Sequence, residues 1–347
     1  MKPVLFVTNH VPPERVGAFA ALARRVPLEL AIFGGRSIHA TAGVADPGVP
    51  HRRVRQREVR ALAASGRYGA VVCGTAGRVA LPAAALGARA ARVPFVLWSA
   101  LWAHPRTAAH LVAGTPLLAT LYRSADAVVA YGPHVAAFAR ARGARNVHVA
   151  PQAVDNAFWS AMVDVEPAAR FTVVFLGRPR REKGAMLLLE AWRSSGLGAS
   201  AAALVLVGAG TGLARDPTGG AVAFVGAQPP EEVRNFLARA DVCVIPSLRT
   251  RSFREPWGLA ANEAMNQSTP VIASEEVGAV AGGLVRHERN GLVVPVADPA
   301  ALAAALRRLH DDPGLRAELG ANARRDVAAY TFDAWAGGFS AALRSVR

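Results

Sequence analysis

The stretch FREPWGLAANEAM, residues 253 to 265, carries two glutamates eight positions apart, Glu255 and Glu263, around a Pro-Trp-Gly turn. Pro256 disfavours helix at the residue before it, and Gly258 permits a tight backbone. From Leu259 onward the residues, Asn262 aside, are good helix formers. Glu255 is therefore expected on a loop at the mouth of a helix, with Glu263 farther along that helix. Free N–H groups and the positive end of such a helix suit an anion such as phosphate. Two carboxylates beside a phosphate cannot bind it, but they can accept hydrogen bonds from hydroxyls attached on either side of it. A capping glutamate followed by a solvated surface glutamate fits the same residues.

A second group of polar residues lies upstream. After the apolar run FTVVFL comes GRPRREKG, which brings Gly177, Arg178 and Lys183 to a strand end. Glycine lets the backbone approach a ligand, arginine offers a planar fork and lysine a point charge for phosphate. After DVCVIPS come the arginine-rich TRSFR and then the glutamate element. Ligands of open α/β sheets bind beyond the carboxyl ends of strands. Two such loops thus converge on one diphosphate. The GAGTG after ALVLV lacks the third glycine of a dinucleotide fingerprint and reads as a tight turn.

Strand-like and helical runs alternate along the whole chain. VLFVT, LELAIFG, GAVVCG, PFVLWS, DAVVAYG and NVHVAP read as short buried strands. Between them FAALARRV, GRVALPAAALGARAA, the region 106 to 123 and HVAAFARA read as helices. The pattern pauses at VDNAFWSAMVDVEPAAR and restarts with FTVVFLG, ALVLVGAG, AVAFVG, DVCVIPS, PVIASE and GLVVP. Near-continuous apolar strands are what a parallel sheet covered on both faces requires. Two doubly wound α/β domains, 1–165 and 166–331, joined near 155–168, are expected, with a terminal helix over about 332–347.

Composition sets the remaining bounds. The 347 residues are 52% hydrophobic and 19% charged, which excludes disorder and allows two sizeable cores. Cys73 and Cys243 each lie inside an apolar run, and no CxxC or Cys/His cluster suggests a disulfide framework or a zinc site. VLFVT is too short for a signal peptide, and the uncharged stretch 194 to 214 has only ALVLV at its apolar centre. A cytoplasmic protein is expected. Of the net charge of +15, residues 1 to 165 carry +12. A polyanion partner follows, either an anionic membrane surface or nucleic acid, unless the arginines merely decorate a solvated surface. Basic residues crowd HRRVRQREVR, 51 to 60, without the interleaved aromatics that stack on bases, and no nucleic-acid-binding signature is visible.

These motifs resemble glycosyltransferase family 4 and its GT-B architecture, two Rossmann-like domains facing a central cleft. GRPRREKGAMLLLEAW, ADVCVIPS, EPWGLAANEAMNQSTPVIAS, NGLVVPVADPAALAAAL and DDPGLRAELGANAR carry the likeness across residues 170 to 330. The resemblance implies that Glu255 hydrogen-bonds hydroxyls of a donor sugar and that Glu263 holds the ribose of its nucleotide. It implies that Arg178 and Lys183 clamp the diphosphate, with Gly177, Trp257, Gly258 and Leu259 lining the donor. VPPERVGAFAALA resembles the family's N-terminal glycine loop, with the usual Gly-Gly pair reduced to Gly17. His104, in LWAHP, stands where the family often has a histidine near the donor sugar; a capping or structural histidine is the other reading. TFDAWAGGFSAAL fits the terminal helix that crosses back onto the first domain in this fold.

The implied reaction is retaining transfer of a sugar from a nucleoside diphosphate sugar to an acceptor hydroxyl, the donor phosphate itself taking the acceptor proton. Preorganised charge would stabilise the departing diphosphate. The implied partners are the donor and a carbohydrate or lipid-linked acceptor of cell-envelope, glycolipid or exopolysaccharide synthesis, with an anionic membrane surface but no nucleic acid. The protein would then be peripheral on the inner face of the cell membrane. No cofactor and no metal are expected: the one Asp-x-Glu, Asp164-Val165-Glu166, falls in the linker region, and Asp311-Asp312 follows a late helix. A silent nucleotide-sugar-binding protein and a GT-B epimerase or phosphorylase remain as alternatives.

Overall fold

The computed structural model describes residues 2–34, 46–104, 106–108, 110–164, 170–178, 180–199, 202–208 and 222–346. GAGTG beyond Gly208, and the Asp-x-Glu beyond Asp164, lie outside them. The chain forms two compact units, Met1–Asp155 with Tyr330–Arg347, and Asn156–Ala329.

The first unit is built on strands β1 (Val4–Thr8), β2 (Leu28–Ile32), β3 (His51–Arg53), β4 (Ala70–Gly74), β5 (Phe95–Ser99), β6 (Ala127–Ala130) and β7 (Val147–Val149). They form one sheet in the order β3-β2-β1-β4-β5-β6-β7, every described pair parallel. Its helices are α1 (Pro13–Ala23), α2 (Val59–Ala63), α3 (Ala80–Ala91), α4 (Thr115–Ser124) and α5 (Pro133–Arg140). Side-chain alternation assigns them to faces. Leu5, Val7, Val71, Cys73, Leu97 and Val128 pack under α2, α3 and α4, while Val4, Phe6, Val72, Trp98 and Val129 pack under α1.

The second unit repeats the plan with β8 (Phe171–Leu176), β9 (Ala202–Val207), β10 (Val222–Val225), β11 (Val242–Ile245), β12 (Val271–Ser274) and β13 (Gly291–Val294). Its parallel order, β10-β9-β8-β11-β12-β13, is that of the Rossmann fold, and the strand order reverses between β8 and β11. Helices α6 (Asn156–Ser160), α7 (Ala185–Ser195), α8 (Pro230–Ala238), α9 (Ala260–Asn266), α10 (Gly278–Ala281), α11 (Pro299–Asp311) and α12 (Pro313–Val327) complete it. Then α13 (Phe332–Ser345), capped by the Thr331 hydroxyl accepting from the Ala334 amide at 3.0 Å, returns to the first unit. Its Trp335 and Phe339 meet Phe6, Phe19 and Trp98 in that unit's core.

Two expectations are corrected. The change-over falls at 155/156 rather than 165/166, because α6 is held by the second unit: Asn266 donates to Asn156 at 2.9 Å and Gln267 to the Trp159 carbonyl. Gly17 is not in a loop but inside α1, where a Cβ would lie 2.2 Å from the Phe332 ring, so close helix packing demands the glycine. The basic run 51 to 60 holds the edge strand β3 and the start of α2, and Arg52 is spent on an ion pair with Glu29.

Candidate functional site in the second unit

Two loops leave the sheet on either side of its reversal point. The first, after β8, passes through Gly177, whose amide donates to the Val207 carbonyl at 3.0 Å, and through Arg178 and a 3-10 turn at Arg181–Lys183. It enters α7 at Gly184, where φ is +76° and a Cβ would lie 2.0 Å from the Pro246 carbonyl oxygen. Only glycine meets both conditions. The second loop, after β11, starts at Pro246, and its Leu248 amide donates to the Glu182 carbonyl at 2.8 Å. The two loops are thus fastened backbone to backbone.

That fastening brings Lys183 to Glu255. The lysine Nζ lies 2.5 Å from Glu255 Oε2, which also accepts from the Ser247 hydroxyl at 3.1 Å. Ser247 is buried, and its carbonyl accepts from the Ser274 hydroxyl at 2.6 Å, so the end of β12 braces the arrangement. Glu255 is only 6% exposed. A buried carboxylate needs a charged partner of this kind, since its desolvation otherwise costs several kcal/mol. Arg178 stands near by: burial and then Arg180 lower its pKa, while Glu255 and Glu182 act the other way. A cation that has lost water and faces another cation gains from an added anion.

The turn carrying Glu255 is anchored from behind. The Glu255 carbonyl accepts from Gly278 N at 3.1 Å and the Trp257 carbonyl from Ala279 N at 2.7 Å. The Trp257 ring is buried, its Nε1 donating to Asn262 Oδ1 at 2.7 Å, so its side chain is an anchor and not a face offered to a ligand. Gly258 has φ +91° and turns the chain into the short helix α9 beyond Leu259. Glu263 sits half-buried in that helix, close to β11; burial and then its charge push the Cys243 thiol up. Nothing in the spacing foretold Glu276, which accepts from Arg254 Nε and lies 3.9 Å from Arg249 Nη1. Two arginines of TRSFR and its neighbours are thereby committed to a protein carboxylate.

Arg178, Lys183, Glu255, Glu263, Gly177, Trp257, Gly258 and Leu259 therefore belong to one unit. His104 and Gly17 belong to the other. His104 Nε2 accepts from Arg142 Nε at 2.7 Å, and its ring packs on Phe138, over which the Arg142 guanidinium also lies. An arginine donor on Nε2 requires the neutral ring with its proton on Nδ1.

Two doubly wound units, one gathering cations and carboxylates at its switch point, define the GT-B class. Residues 170–312 match the family described as Glycosyl transferases group 1. A D-inositol 3-phosphate glycosyltransferase of Corynebacterium kroppenstedtii is 33% identical over 177 residues, 45% of this chain and 36% of that protein. A protein of the same description from Acidothermus cellulolyticus is 41% identical over 102 residues, 28% of this chain and 20% of the other. The chain thus spans about a third or less of the length of these curated relatives. Among solved structures, Anabaena HepE in complex with UDP and glucose matches with a TM-score of 0.78 at 18% identity, covering 99% of this chain and 100% of that one. Sucrose-phosphate synthase from Thermosynechococcus elongatus matches at 0.71 with 22% identity, 99% of this chain and 98% of that one.

Proposed function

We propose that the chain is a retaining glycosyltransferase of family 4 that moves a sugar from a nucleoside diphosphate sugar to an acceptor hydroxyl. The observation that carries this reading is the Lys183–Glu255 pair at the reversal of the second sheet, with Arg178 beside it. Lys183 and Arg178 would take the diphosphate, and their fixed charge would stabilise it as it leaves. Glu255 would accept hydrogen bonds from hydroxyls of the transferred sugar, and Glu263 from the ribose. The amides of Gly258 and Leu259, with the close backbone approach that Gly177 permits, complete the cradle, and no metal ion takes part. The donor phosphate receives the acceptor proton on the face from which it departs. The acceptor is a carbohydrate or lipid-linked molecule of envelope, glycolipid or exopolysaccharide synthesis, met at the inner face of the cell membrane. Because HepE was solved with UDP-glucose, that compound heads the donors to test.

The experiment is a thermal-shift screen of the full chain against UDP-, GDP-, ADP- and dTDP-sugars, followed by an assay for released nucleoside diphosphate. One donor should stabilise the fold, and release should require an acceptor from a panel of oligosaccharides and lipid-linked sugars. No shift with any nucleotide would reject the reading; a donor that binds without acceptor-dependent release would leave a silent binder.

A further inference from the structure

Between Glu58 and Asp126 the sequence holds seven arginines and not one carboxylate. That stretch supplies α2, α3 and α4, whose inward residues Val59, Ala63, Leu81, Ala84, Leu118 and Leu121 all pack on one face of the first sheet. Helix α3 links β4 to β5 and α4 links β5 to β6, three adjacent strands. Right-handed crossovers set such helices side by side.

Their outward side is apolar as well as basic. The described residues leave eight large aliphatic or thioether side chains exposed, and five of them stand here: Val79 and Leu86 on and before α3, Leu111 and Val112 just before α4, and Leu117 within it. Val112 is 80% exposed. Arg78, Arg89, Arg92, Arg106 and Arg123 are exposed on the same stretch of chain, and no carboxylate pairs with any of these among the described ion pairs. A face meant for water mixes both signs of charge and keeps aliphatics apart. A face for nucleic acid would show stacking rings, and none of the exposed large side chains is aromatic. Aliphatic side chains accompanied by arginines match the acyl boundary and headgroups of an anionic leaflet.

We infer that the α3–α4 face of the first unit is a bilayer-docking surface, Leu111, Val112 and Leu117 entering the acyl boundary while the accompanying arginines meet anionic headgroups. The proposal rests on the transferase reading only for its purpose, delivery of the enzyme to a membrane-borne acceptor, and it moves the contact away from the basic run 51 to 60. Binding is therefore part hydrophobic, and salt weakens it without abolishing it.

The test uses the full chain and vesicles of phosphatidylglycerol mixed with phosphatidylcholine, against phosphatidylcholine alone. The protein should sediment with the first and stay in solution with the second. Both native cysteines are buried, so a dye placed by Val112→Cys reports that position, and its emission should shift to the blue on the anionic vesicles. Leu111→Ser with Val112→Ser and Leu117→Ser should lower partitioning about tenfold or more. Arg89→Ser with Arg123→Ser should move the salt at which half the protein is released to lower concentration. Equal recovery in both supernatants, an unchanged dye with wild-type sedimentation of the triple serine variant, or retention on RNA but not on vesicles would each overturn the inference. A nucleotide thermal shift that persists while vesicle binding fails rejects the docking alone. Vesicle binding without a shift from any nucleotide rejects the donor reading instead.

Discussion

Lys183 and Glu255 are 72 positions apart, and their pairing decides what each substitution means. The spacing of Glu255 and Glu263 and the basic character of GRPRREKG were legible, because they lie in local sequence. The contact between the two loops was not, since it depends on Gly184 meeting Pro246 and on Leu248 bonding Glu182. Lys183→Ala should cost nucleoside diphosphate affinity by about 1.5–3 kcal/mol, the loss of a charged hydrogen bond. It should also destabilise the fold by up to roughly 3–5 kcal/mol, because buried Glu255 loses its hydrogen-bonded ammonium. Lys183→Met combined with Glu255→Gln should recover much of that stability and none of the affinity, as denaturation and calorimetry would show. Glu255→Gln alone should keep most nucleoside diphosphate affinity while lowering turnover by about 10²-fold, if its contact tightens in the transition state. An equal loss of affinity in Glu255→Gln and Lys183→Ala would remove the assignment of Glu255 to the sugar.

The strands were legible in the sequence because their apolar runs are nearly continuous, as buried parallel strands must be. The elements that escaped are those whose composition opposes the pattern. Strand β3 is His-Arg-Arg on a sheet edge, α2 follows a charged run, and α6 mixes Asn, aromatic and Ser. Behind the site, α10 supports the Glu255 turn through Gly278, where a Cβ would lie 2.0 Å from the Pro256 carbonyl oxygen. Gly278→Ala should therefore lower both thermal stability and turnover. Gly283→Ala, at φ +83° with open space around it, should cost only the backbone strain of about 1–2 kcal/mol and leave turnover intact. Comparable turnover in both variants would deny the support role. Farther along, α12 pins the loop before β13 through Asp326. Burial alone would raise its pKa, but hydrogen bonds from Arg289, Asn290 and Arg286 lower it to about 2. An unfolded aspartate titrates near 3.9, so the contribution, on the order of 2 kcal/mol, is complete above that pH and fades as pH falls toward 2. Asp326→Asn should flatten this part of the acid-unfolding profile; an unchanged slope between pH 4 and pH 2 would refute it.

At the scale of the molecule, the duplication of a doubly wound unit was legible in the restart of the strand–helix rhythm, and the concentration of positive charge in the first part was visible as a count. That these arginines and the exposed aliphatics lie on helices covering one side of the sheet was not, because only the fold packs α3 and α4 on the same side. The same charge economy bears on catalysis. If Arg178 and Lys183 serve the diphosphate as proposed, turnover should survive excess EDTA and gain nothing from Mg²⁺ or Mn²⁺. A collapse in EDTA that either ion reverses would show that the cations of the second unit do not suffice.

Helix α13 closes the first unit although the entire second unit intervenes between it and α5. On the ribosome, Phe6, Phe19 and Trp98 are made early, yet Trp335 and Phe339, which cover them, come last. At about 5–20 residues per second, the stretch from residue 156 to 345 takes on the order of 10–40 s to synthesise. Throughout that interval an aromatic seat stands open on the nascent chain, and the second unit completes its own core first. The inserted unit has its whole sequence before α13 is made, whereas the host unit cannot complete its core until α13 emerges.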